Sequence, residues 1–229
     1  MTDATVESNA GRDATGDARS YDAWFDSPWG RYAWAEESRL LHAALEGSGG
    51  RRGLDVGCGT GRSSALLREH ASYVVGIDPD PGMLGLGRAH VDAAILATGE
   101  RLPFSDHAFE TTVAVTVLEF VRTPAEVVAD MVRVTRSPGR IVIGALNPRS
   151  PWGLWHRREL HTGPWRTARF LTGQDLARLG RAHGRVTLDQ GLHAPGRLPG
   201  LARWGPAVER VGRRLRVPGA FCVLTIERR

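Results

Sequence analysis

The chain has no lysine: all 30 of its basic residues are arginine. It has only two cysteines, Cys58 and Cys222, in 229 residues. That is too few for a disulfide framework and points to a reducing, cytoplasmic setting. No apolar run approaches the roughly 18 residues a membrane-spanning helix requires. The N-terminus has no basic stretch leading into an apolar one, so no secretory signal is expected. Neither the His nor the Cys residues recur at ligand spacings such as His-x-x-x-His or Cys-x-x-Cys, and no metal site is expected. Acidic residues are scarce towards the C-terminus. Residues 151–229 hold 15 arginines against 5 acids, a balance of +10, whereas residues 1–150 hold 15 against 20, a balance of −5. A basic C-terminal third suits an anionic acceptor, a membrane surface or nucleic acid, or is simply a solvated arginine-rich surface.

What is present is an alternation of strands and helices. Residues 1–18 are small, polar and acidic and read as a disordered tail. Aromatics then crowd in at Tyr21, Trp24, Phe25, Trp29, Tyr32 and Trp34, and two short helices over residues 19–47 could carry them as an N-terminal lid. From Gly53 the pattern predicts strands at 53–56, 73–78, 93–96, 111–116 and 140–146, with helices between them. Gly85 and Gly87 weaken the helix near Met83–His90, each at about 1 kcal/mol relative to alanine. Thr123-Pro124-Ala125-Glu126 reads as a capping box, and Thr172 with Asp175 as another helix start. Residues 148–171 read as an irregular cap. Residues 185–189 and 221–226 read as two last strands, and 198–217 between them as an inserted basic amphipathic helix. Its apolar positions are Leu201, Trp204, Val208, Val211 and Leu215, and packing of this stripe on the domain is the favoured expectation. The alternation predicts one doubly wound α/β domain over residues 19–229, with a mostly parallel sheet covered on both faces.

Asp55-Val56-Gly57-Cys58-Gly59-Thr60-Gly61 lies directly between a strand and a helix. Glycines there let the backbone turn tightly and approach a ligand closely, and the following helix offers free N–H groups. Asp78 closes the next strand, where a carboxylate can take two ribose hydroxyls. A dinucleotide fingerprint would need Gly-x-Gly-x-x-Gly, but its third glycine falls on Arg62 or Ser64. What remains, an acid two residues before Gly-x-Gly-x-Gly, resembles the first motif of class I S-adenosylmethionine-dependent methyltransferases.

The resemblance continues along residues 20–147, and more loosely in the last two strands. Asp78-Pro79-Asp80-Pro81-Gly82-Met83 resembles the family segment after the ribose acid, and Glu100-Arg101-Leu102-Pro103-Phe104 its Leu-Pro-Phe stretch, shared with small-molecule and quinone or lipid methyltransferases. It implies a Rossmann-like sheet of order 3-2-1-4-5-7-6 with an antiparallel seventh strand. It also implies S-adenosyl-L-methionine as cofactor, held by Tyr21, Asp55, Gly57, Cys58, Gly59, Gly61, Asp78, Pro79, Met83, Thr98, Gly99, Glu100 and Thr116. The family usually has an aspartate for the adenine amine where Thr98 stands, so a hydroxyl or carbonyl would serve here.

A sulfonium methyl is already activated, so in-line positioning in a dry pocket is the main task. A general base is needed only for an acceptor protonated at neutral pH. Glu119, His156 and His161 are the candidates, each equally readable as an ordinary structural residue. Asn147, Trp152 and Trp155 are candidate acceptor contacts, and the tryptophans are as readily structural anchors. Cys58 reads as a small filler within the loop. The expected function is methyl transfer to a small-molecule acceptor. The alternatives are a membrane-borne quinone or lipid acceptor, with peripheral membrane contact through the arginine-rich C-terminal segment, and a cofactor-binding protein without turnover. A nucleic-acid acceptor is not expected, because no Asn-Pro-Pro-Tyr-type motif is present.

Overall fold

The computed structural model describes residues 14–48, 50–155, 165–194 and 200–228. His156 and His161 lie outside the described residues. Fifteen elements follow in order: α1 (Ala14–Trp24), α2 (Pro28–Leu45), β1 (Gly50–Val56), α3 (Arg62–Leu67), β2 (Ala71–Asp78), α4 (Pro81–Gly87), β3 (Ala93–Leu96), β4 (Phe109–Val115), α5 (Pro124–Val134), β5 (Thr135–Leu146), α6 (Pro151–Trp155), α7 (Gly173–Arg181), β6 (Arg185–Gly191), α8 (Leu201–Arg214) and β7 (Phe221–Arg228).

The seven strands form one sheet of order β3-β2-β1-β4-β5-β7-β6. β1 to β5 pair in parallel, and β7 runs antiparallel to both β5 and β6. The order and the reversed last strand are those the family resemblance implies. Alternation along the strands assigns the two faces. On β5, Ile141 and Ile143 enter the core under α5 and α7, with Val127, Met131 and Leu176. Val142 enters the opposite core with Leu41, Leu45 and Leu67 of α2 and α3. Each fully buried leucine or isoleucine contributes about 1.5–3 kcal/mol relative to exposure, so both faces are held chiefly by apolar burial.

Three local expectations are corrected. α1 begins at Ala14, inside the stretch read as a tail, because Ala18 is buried and α1 packs on α4. Thr123 makes no side-chain cap bond, and Pro124 at the first turn starts α5 without it. The helix start expected at Thr172 and Asp175 does form, as a capping box on α7, where Thr172 Oγ1 accepts from Asp175 N–H and Asp175 accepts from Thr172 N–H.

The third correction concerns α8. The apolar stripe is expected to pack inward, and Leu201 and Val208 are half-buried, yet Trp204, Val211 and Leu215 are 58%, 55% and 68% exposed. The buried face is Gly205, Glu209 and Gly212. A side-chain carbon at Gly205 would meet the Tyr32 ring at 2.5 Å, and one at Gly212 the His193 ring at 2.4 Å. Glu209 is 1% exposed and fully engaged. Its Oε1 accepts N–H bonds from His193 (2.7 Å) and Ala194 (3.0 Å) and the Tyr32 hydroxyl (3.2 Å), and its Oε2 sits 2.8 Å from His193 Nδ1. A buried, multiply bonded carboxylate outweighs the apolar stripe in setting which way the helix faces.

Candidate active site

The carboxyl ends of β1, β2 and β4 meet at the glycine loop. Gly57, Gly59 and Gly61 all take positive φ (68°, 53° and 90°), a region costly for side chains bearing a β-carbon. A β-carbon at Gly59 would meet nothing within 4 Å, so the loop leaves an open cradle there. Gly87 has a matching reason. A β-carbon on it would strike the Gly59 carbonyl at 2.4 Å, so the glycine that weakens α4 is what lets α4 approach the loop.

Asp55 is completely buried. Its Oδ2 accepts the hydroxyls of Ser63 (2.8 Å) and Ser64 (2.6 Å), while its Oδ1 has no partner among the described residues. Burial pushes its pKa up to about 7; the two serine hydroxyls oppose the rise and Asp78 adds to it. Asp78, at the end of β2, accepts N–H bonds from Gly59 and Asp80, each at 2.9 Å. Burial raises its pKa, against those two N–H bonds. Asp80 then caps α4 through the N–H groups of Gly82 and Met83. Cys58 is buried with its Sγ against Gly76 of β2, and burial raises its pKa. Pro79 and Thr98 are exposed, Met83 and Glu100 half-buried, and Gly99 buried against Val56 and Val127.

The Leu-Pro-Phe stretch is latched from α5. Arg133 donates to the carbonyls of Leu102 (3.1 Å) and Phe104 (2.7 Å), and Asp130 accepts the Leu102 N–H at 2.6 Å. Arg133 also pairs with Asp130 and Asp106. The latch fixes the chain on which Gly99 and Glu100 approach the site.

On the other side α1 bridges the glycine loop and the end of β4. Tyr21 lies beside Thr116, whose φ of 53° marks a strained non-glycine turn. Asp22 Oδ1 accepts from Thr60 Oγ1 and Arg62 Nε, both at 3.0 Å, and the Arg62 guanidinium lies 4.1 Å from the Phe25 ring centroid. An open cleft of about 410 Å³ lies between α1, α3 and α4, lined by Asp22, Trp34, Arg62 and His90 among others. Asp55, Asp78 and Glu119 do not line it.

Glu119 is completely buried. Its Oε1 accepts the Leu146 N–H at 2.8 Å, and its Oε2 has no partner among the described residues. Burial pushes its pKa up to about 7. Glu37 of α2 is close enough to feel the Glu119 charge, and burial, then that charge, brings it too to about 7. Neither glutamate pairs with a cation among the described residues, and Glu37 carries no motif by which it could have been singled out. Asn147 is buried with both ends of its amide engaged, donating to the Gly219 carbonyl and accepting from Arg149 N–H, each at 3.1 Å. Trp152 packs partly buried against the α2-side core. Trp155 ends α6. Among the described residues no group of three or more His, Cys, Asp or Glu could hold a metal.

Residues 54–143 match the family model described as a methyltransferase domain. An uncharacterized protein of Mycobacterium tuberculosis is 35% identical over 203 residues, 87% of this chain and 67% of the relative. The chain belongs to the class I S-adenosylmethionine-dependent methyltransferases. A phosphatidylethanolamine N-methyltransferase of Cereibacter sphaeroides is 35% identical over 136 residues, 55% of this chain and 66% of that protein. An S-adenosylmethionine-dependent methyltransferase structure from Thermotoga maritima superposes with a TM-score of 0.73 at 22% identity, covering 94% of this chain and 97% of that one. For this methyltransferase the cofactor is S-adenosyl-L-methionine, and the residues present fit it. The open cradle at Gly59, the unanswered Asp55 Oδ1 and the Asp78 carboxylate at the strand end are what a cationic nucleoside ligand requires.

Proposed function

We propose that this methyltransferase acts on a small-molecule acceptor, bound at the carboxyl edge of the sheet beneath α1. The observation that carries the reading is the bridge made by α1. With Tyr21 on Thr116 and Asp22 on Thr60 and Arg62, it encloses the edge where the glycine loop and β4 end, and leaves little room for a macromolecular acceptor. When bound, S-adenosylmethionine supplies a sulfonium methyl open to in-line displacement.

The protein's own groups position and neutralise. Asp78 takes the ribose hydroxyls, the Gly57–Gly61 backbone cradles the amino-acid portion, and Asp55 balances the cofactor's positive charge. Pro79, Met83, Thr98, Gly99 and Glu100 border the base, with Thr98 serving the adenine amine through its hydroxyl or carbonyl. Glu119 is the proton acceptor for an acceptor that must lose a proton. With a pKa near 7 it is partly ionised at neutral pH, as a general base requires. Trp152 stands on the acceptor side as a wall residue, and Asn147 holds the turn that leads into α6.

The test is calorimetry with S-adenosylhomocysteine, followed by labelled S-adenosylmethionine against metabolite, thiol and quinone pools. Asp78→Ala is expected to weaken binding by about 1.5–3 kcal/mol, as for a lost charged hydrogen bond. Unchanged affinity would remove Asp78 from the site, and binding without turnover on any pool would favour a non-catalytic cofactor-binding protein. The second reading, a membrane-borne quinone or lipid acceptor, is favoured by one observation, the outward apolar face of α8.

A further inference from the structure

α8 has three faces. The inner one, Gly205, Glu209 and Gly212, is pinned to Tyr32 and His193. The second carries Arg203, Arg210 and Arg214, all exposed, and none pairs with an acid among the described residues. The third is Trp204, Val211 and Leu215, each more than half exposed. An apolar ridge beside an arginine face is the pattern of a helix that lies in a membrane interface. In an ordinary surface helix the apolar stripe is the buried one. Here it cannot turn inward, because rotating the helix would pull Glu209 from His193, Ala194 and Tyr32 and bury unpaired charge.

We propose that this outer surface of α8 is a docking surface for an anionic lipid bilayer. Trp204, Val211 and Leu215 enter the headgroup boundary, and Arg203, Arg210 and Arg214 meet lipid phosphates. Charge complementarity selects this occupant. A second copy would bring a like-charged arginine face against the first, whereas an anionic bilayer answers the +10 balance of residues 151–229. Placement agrees with the choice. His193 follows the end of β6, which runs in the same direction as β5, so α8 is pinned at the sheet edge where the glycine loop lies. Docking therefore brings that edge to the bilayer.

The experiment is flotation of the full chain with neutral phosphatidylcholine vesicles and with vesicles containing phosphatidylglycerol, at low and moderate salt. Binding is expected on the anionic vesicles only and should fall steeply with salt. A triple Trp204→Ser, Val211→Ser, Leu215→Ser variant and a triple Arg203→Gln, Arg210→Gln, Arg214→Gln variant should each lose at least about tenfold in partition. Thermal melting and S-adenosylhomocysteine affinity should not change in either, which separates failure of the surface from failure of the cofactor site. Absence of flotation at low salt overturns the proposal, as does binding that both variants retain. Concentration-dependent dimers abolished by the serine variant would also overturn it, assigning the ridge to a second copy.

Discussion

Two sets of carboxylates are buried in this chain, and they differ in how they are answered. Glu209, where α8 meets the end of β6, takes two backbone N–H groups, the Tyr32 hydroxyl and the His193 ring. Burial alone would raise its pKa, but His193 and those N–H groups hold it below the usual glutamate range. Asp55 and Glu119 each keep an oxygen with no partner among the described residues, and they and Glu37 are pushed up to about 7. Satisfied burial fixes a helix, whereas unsatisfied burial is tolerated where a ligand is to supply what is missing.

The contrast is broken most severely by Glu209→Ala. It strands the Tyr32 hydroxyl, two N–H groups and His193, and should cost about 3–5 kcal/mol in urea unfolding, as for removal of one member of a buried pair. Gly212→Ala presses a methyl against His193 while leaving the pair's chemistry intact, and about 1–3 kcal/mol is expected from overpacking.

pH sharpens the comparison further. A carboxylate whose folded pKa is raised holds its proton in the native state longer than in the unfolded one. The ligand-free protein should therefore lose stability as pH rises from about 4.5 to about 7. Glu119→Gln should flatten that slope, by about 1 kcal/mol across the window, in melts at graded pH. Glu209 has the opposite sign: its contribution is present above the ordinary glutamate pKa and lost on acidification. Smallest of all, Trp204→Ser should shift stability by no more than about 0.5 kcal/mol, since the ring is mostly exposed.

The sheet and its cofactor end were legible in the sequence because both are local. A strand, a glycine turn and a strand-end acid follow one another within Asp55–Asp78, and each imposes its own residue type. What was not legible depends on contacts far apart in the chain. Glu209 answers Tyr32 and His193 across the fold, so nothing near it announced that this glutamate, between Gly205 and Gly212, would be the buried residue of α8. Periodicity correctly found an amphipathic helix, but the buried face is Gly205, Glu209 and Gly212 beside the stripe, with Leu201 and Val208 only half-buried. The Gly87 approach to the Gly59 carbonyl reads locally only as a weak helix. Glu37 looks like one more glutamate on a surface helix until α2 is laid against β5 and β7, where burial brings it near Glu119.

The way α1 is fastened has a consequence in time rather than in energy. Its grip on the glycine loop is ionic and partly open to water, Asp22 to Arg62 at 2.9 Å. Salt weakens such a contact at once, while the apolar packing beneath is untouched. If entry and departure of the cofactor wait on that contact, ionic strength becomes a throttle on the cycle. Raising it would hasten exchange and shorten the residence of the spent cofactor, so turnover limited by release would quicken in the same buffers that detach α8 from a charged bilayer.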